Sequence, residues 1–166
     1  MEEIVNKVAK SGLVTINLEE IYPAFTRSTI DIKEWLWQGL ALKEKDFRES
    51  LKGHPWENYR DHYVAVFCSV DAIIPHWAMM LIASKLQGIS RRTFIGTPSE
   101  MESDIFRSLI LNLNREDYRD QRIVIKGCSD RPVPPSAYAD LVSHLQPVAK
   151  SILFGEPCST VPVFKR

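Results

Sequence analysis

The sequence lacks the features that would send a chain into a membrane, out of the cell or onto a polyanion. Over 166 residues Lys+Arg and Asp+Glu both count 21, so no surplus of either sign draws it to nucleic acid or anionic lipid. Neither partner is expected. The opening MEEIVNKVAK is acidic and has no unbroken apolar stretch, unlike a secretory signal. No later segment approaches the ~20 apolar residues of a membrane span. A cytoplasmic protein is therefore expected. Cysteine is scarce, and three is an odd number, which argues against a disulfide framework. In a reducing compartment such thiols serve as core residues, metal ligands or nucleophiles. Also missing are a low-complexity linker, a solenoid repeat, a glycine-rich phosphate fingerprint and the short-range spacing of a zinc knuckle.

What is present is 45% hydrophobic residues, enough for one core at this length, so 1–166 reads as a single α/β domain. From Asp61 onward, short runs rich in Val, Ile and Phe alternate with helical periodicity. Strands are predicted at 63–67, 92–96, 122–126 and 151–154, with helices at 76–86, from Thr97 to about Leu113, and at 136–149. This β-α-β-α-β-α-β core over 61–166 predicts a small open, mostly parallel four-stranded sheet flanked by helices. The assumed order, 2-1-3-4, makes the three strands that end in cysteine neighbours. Residues 1–60 read as an N-terminal extension: a short helix stopped at Ser11-Gly12, then extended pieces at 13–18 and 28–32. The two pieces can pair as a hairpin, or Asp31 with Glu34 can form a capping box that opens a helix bearing Trp35, Leu36 and Leu40. On such a helix Trp35 and Trp37 cannot both face one core.

In open α/β sheets ligands bind beyond the carboxyl ends of the strands. Three pairs, Cys68-Ser69, Cys128-Ser129 and Cys158-Ser159, fall just there. Thiolates of Cys68, Cys128 and Cys158 on adjacent strand ends would hold zinc tetrahedrally, with water, substrate, His76, Asp71 or Asp130 in the fourth place. The same set would hold an iron-sulfur cluster with one uncoordinated iron. Two other readings stand beside this one: thiols buried against helices, and a nucleophile at Cys68 or Cys128 with His76 as base. Asp71 and Asp130 also suit turns through local hydrogen bonds. The leading expectation is a metal-binding protein acting as a hydrolase or lyase on a small molecule, with His76, Asp71 and Asp130 as catalytic candidates. The alternative is a non-catalytic domain with structural cysteines that binds a small ligand or a protein, a second copy of itself included.

At Ser11-Gly12-Leu13-Val14, Asp31-Ile32-Lys33-Glu34, the segment from Gly127 to Pro134 and the segment from Gly155 to Pro162, the sequence resembles an uncharacterised family of small bacterial proteins. That family is catalogued only as a domain of unknown function, family 2480. The resemblance implies a bacterial, cytosolic protein and brings no substrate, cofactor or catalytic residue.

Overall fold

The apolar triplets Val64-Ala65-Val66 and Ile123-Val124-Ile125 are almost wholly buried, as continuous runs in parallel strands should be. They do not share a sheet. The computed structural model describes residues 12–126, 130–156 and 158–166, and the chain divides into two compact units. One is continuous, Ala24–Met101; the other is split, formed by residues 12–23 and Glu102–Arg166.

In the continuous unit β2 (Arg27–Asp31) leads through α1 (Glu44–Gly53) to β3 (Tyr63–Phe67), then through α2 (His76–Leu86) to β4 (Arg92–Ile95). The three strands are parallel in the order β2-β3-β4. Alternation along β3 sends Val64 and Val66 to one face, where they join Ile30, Phe47, Leu51, Ala78, Ile82 and Leu86 in a core. Trp35 stands in that unit with its ring 5.7 Å from Phe47 and 5.2 Å from His54, whereas Trp37 is exposed beneath the Lys43 ammonium at 3.9 Å.

The split unit begins with β1 (Leu13–Ile16) and resumes with α3 (Pro98–Leu111), whose residues from Glu102 belong to it. It continues with β5 (Arg122–Ile125), α4 (Pro135–Leu145), β6 (Ser151–Glu156) and β7 (Ser159–Lys165). The order is β1-β5-β6-β7, with β7 antiparallel to β6. Its core gathers Ile16, Phe106, Ile110, Ile123, Ile125, Leu141, Leu145 and Ile152.

The two units repeat one plan. The starts of β3, α2 and β4 recur 59 positions later as the starts of β5, α4 and β6, at 63 and 122, 76 and 135, 92 and 151. The buried residues Phe47, Leu51, Ala78, Ile82 and Leu86 recur at the same step as Phe106, Ile110, Ala137, Leu141 and Leu145. Before each of the strands β3 and β5 runs Glu-x-Tyr-Arg-Asp, at 57–61 and 116–120, as a 3-10 turn with a Glu–Arg ion pair. Its last residue enters the left-handed region, Asp61 at φ 59° and Asp120 at φ 58°, a conformation Asp tolerates better than most residues. The Asp61 amide donates to Ile89 O and the Asp120 amide to Val148 O, both at 2.9 Å. The leading strands correspond as well, since Ile30 faces Val66 in one sheet and Ile16 faces Ile125 in the other.

The four strands expected from Tyr63 onward are all present, but the single sheet of order 2-1-3-4 is replaced by two sheets that take two of them each. The physical reason lies in the pieces read as an N-terminal extension. Both are strands, and each pairs in parallel with a buried strand of its own unit instead of forming a hairpin with the other. Asp31 closes β2 and also caps the 3-10 turn Ile32–Trp35, accepting from the Lys33 amide at 3.1 Å. The expected helix before Ser11 lies outside the described residues. No described helix is long and apolar enough to cross a membrane.

Candidate functional site

Cys68 follows β3, half-buried against the core of the continuous unit, and Cys158 is exposed in the turn between β6 and β7. Cys128 lies outside the described residues. The strand before Cys68 has β2 and β4 as its neighbours, not β5 or β6, so the three strand ends are not adjacent in one sheet. Among the described residues no three His, Cys, Asp or Glu side chains come together as metal ligands. The three-cysteine metal site at one sheet edge, and the hydrolase or lyase built on it, are thereby overturned. Asp71 is exposed in the loop after β3, and His76 is the exposed first residue of α2. Asp130 is exposed after β5, in the other unit. None of the three side chains makes a hydrogen bond or ion pair among the described residues.

The carboxyl edges are held by acidic groups that act as ties. Asp31 Oδ1 accepts from the amides of Lys33 and Ser69, each at 3.1 Å, and Oδ2 lies 3.6 Å from Lys33 Nζ. Partial burial works to raise its pKa. Hydrogen bonds from the Ser69 side chain and from the Lys33 and Ser69 amides, with the Lys33 charge, outweigh it and hold the carboxyl below its usual value. It stays ionised, pinning the Cys68-Ser69 loop to the end of β2. In the split unit Asn17 Oδ1 accepts from the Glu19 amide at 3.1 Å, and Glu19 Oε1 from the Arg131 amide at 2.7 Å, tying down the loop after β5. These carboxylates are committed to backbone donors and are poorly placed for proton transfer.

The opposite end of the split unit's sheet is different in kind. Arg122, Ser151 and Lys165 are register partners across β5, β6 and β7, so their side chains stand in one row on one face. The next row on that face pairs Leu153 with Pro162. Above them lies a cleft of about 360 Å³, with Phe164, Lys150 and Arg166 completing its wall. The Arg166 amide donates to Lys150 O at 3.0 Å, which sets these two residues side by side. Arg166 Nη1 meets Asp120 Oδ1 at 2.8 Å, and its Nη2 donates to Val148 O at 3.2 Å. Among the described residues Arg122, Lys150 and Lys165 have no ion-pair partner and no acidic side chain lines the cleft. A second hollow of about 530 Å³ shares the Phe164 and Arg166 wall and adds Ser143, Gln146 and Pro147.

Four cations around an apolar floor, in a volume typical of small-ligand sites, make an anion-receiving cleft. Sequence reasoning looked to the carboxyl edge and passed it by. Its signal was the cationic frame of β5, β6 and β7: Arg122, Lys150-Ser151 and the closing Lys165-Arg166. Pro162 masked β7, because proline is tolerated only on edge strands or at bulges; here β7 is an edge, with a register shift at Ile152/Leu153.

Fold and cleft together define an internally repeated α/β protein with a cationic pocket on one of its two units. A family model described as Protein of unknown function (DUF2480) matches residues 2–166, and the chain belongs to that family. No curated protein and no solved structure matches it.

Proposed function

We propose that the protein binds a small anionic molecule with an apolar body in the cleft between β5, β6 and β7. The observation that carries this reading is that Arg122, Lys150 and Lys165, which have no ion-pair partner among the described residues, line one pocket with Arg166, and that no described acidic residue is in its wall. Gathering like charges has a cost that an anion relieves, and the row of Leu153 and Pro162 offers apolar surface to a non-polar part of that anion. A bounded pocket on a chain of zero net charge suits a small ligand better than a polyanion, which needs an extended basic surface. The free Cys68 and Cys158 thiols support a reducing, cytoplasmic setting. His76, Asp71 and Asp130 have no part in this binding reading.

The test is thermal stability at low salt with and without inorganic phosphate and benzoate, since a ligand of the folded state raises the melting temperature. We expect a rise with at least one of them, reduced by added chloride. In Lys150→Glu/Lys165→Glu the rise should vanish. An equal rise in the double variant would remove the cleft from the explanation, and no rise with either anion would count against the reading itself.

A further inference from the structure

The repeat gives the cleft an internal reference, because the continuous unit has the same positions and fills them with its own side chain. A step of 59 carries Arg122 back to Tyr63, Lys150 to Arg91, Ser151 to Arg92 and Leu153 to Phe94. There the ring of Phe25 lies 3.6 Å from the Arg91 guanidinium carbon and meets the Tyr63 ring edge-on, with centroids 5.8 Å apart and planes at 81°. The Arg27 guanidinium carbon lies 5.4 Å from the centre of the Tyr63 ring. The two positions that grip this ring are the counterparts of two that line the open cleft. The continuous unit also has no strand corresponding to β7, so it lacks the cations that Lys165 and Arg166 bring.

Resting on the anion-binding reading above, we infer that the ligand is an aromatic ring bearing a carboxylate or phosphate. The ring lies under Lys150 as Phe25 lies under Arg91, and the anionic substituent points along the row of Arg122 and Lys165. A cation over a ring face is attracted to its quadrupole, an effect that a saturated ring of similar size does not reproduce. The cations of β7 account for the second half of the ligand: Phe25 is uncharged and its place has no equivalent of them, whereas the open cleft has both parts.

The test compares the affinities of benzoate, phenyl phosphate, cyclohexanecarboxylate, benzamide and inorganic phosphate for the full chain by calorimetric titration. Benzoate or phenyl phosphate should bind about tenfold more tightly than cyclohexanecarboxylate and benzamide, and Lys150→Ala should erase the preference for an aromatic ring. Which of the two binds better identifies the anion. Cyclohexanecarboxylate binding as well as benzoate would overturn the ring while leaving the anion site intact. Benzamide binding as well as benzoate would overturn the anionic substituent and, with it, the reading on which the inference rests. A second variant tests the correspondence: Phe25 is 38% exposed, so Phe25→Ala should fold, as far-ultraviolet dichroism can verify. It should gain a second, weaker benzoate site against Arg91 and Tyr63. Folded Phe25→Ala with unchanged stoichiometry would overturn the equivalence of the two places.

Discussion

His54 shows how a single residue ties stability to pH. Its Nε2 lies 3.1 Å from the Tyr59 hydroxyl, and its ring lies 4.5 Å from Trp56 and 5.2 Å from Trp35. Burial disfavours the imidazolium and lowers its pKa below the usual 6.5. The unfolded chain therefore takes up this proton first. Stability is full above 6.5 and is given up as the pH falls from 6.5 to the lower folded value. His54→Gln should flatten that part of a denaturation-midpoint curve; an unchanged slope between pH 7 and 5 would show that another group is responsible. At this scale the sequence was a partial guide. Cys68 and Cys158 do lie just past strands, as expected, but a strand's apolar residues do not state which strand lies beside it, so convergence of the thiols could not be read. The cations of the cleft went unremarked because Lys and Arg at strand ends are usually solvated charges.

The elements were legible where the apolar runs or the hydrophobic period were strong, as in β3, β5 and α4. α2 was legible as an element, but it buries Ala78, Ile82 and Leu86 and leaves Met80 and Ser84 exposed, because a helix apolar on nearly every side does not state which side is covered. β7 was not legible, because Pro162 and the exposed Val161 and Val163 give no inward face to read. Its register depends on a tight return at the end of β6. Gly155 has φ 121°, and a β-carbon there would lie 2.6 Å from the Ser159 carbonyl oxygen, backbone that cannot move aside without breaking the hairpin. Gly155→Ala should cost about 1–3 kcal/mol in denaturant unfolding. Since β7 supplies Lys165 and Arg166, the same variant should weaken anion binding while leaving the continuous unit's aromatic stack unchanged. Full-affinity binding in a folded, destabilised Gly155→Ala would mean that β7 is not part of the site.

The whole molecule is a plan used twice, with one copy's first strand separated from the rest by the other copy. The recurring Glu-x-Tyr-Arg-Asp carried that repeat in plain letters; two copies are too few for a solenoid period, and the mixed helices and strands around them differ too much in side chain to align by eye. Ile82 and Leu141 occupy equivalent, fully buried positions in cores that share no member. Ile82→Ala and Leu141→Ala should each cost about 2–5 kcal/mol, and the double variant should match their sum to within about 0.5 kcal/mol. A coupling energy well above that would show the two cores to be energetically joined. The proposed function falls on the difference between the copies: one holds Phe25 against Arg91 and Tyr63, and the other, among the described residues, has a cleft framed by β7. Residue-resolved amide shifts on titration with phenyl phosphate test this most directly. The account predicts that they cluster at Arg122, Lys150, Ser151, Leu153 and Phe164. Shifts centred instead on Asp31, Ser69 and His76, at the carboxyl edge of the continuous unit, would contradict it.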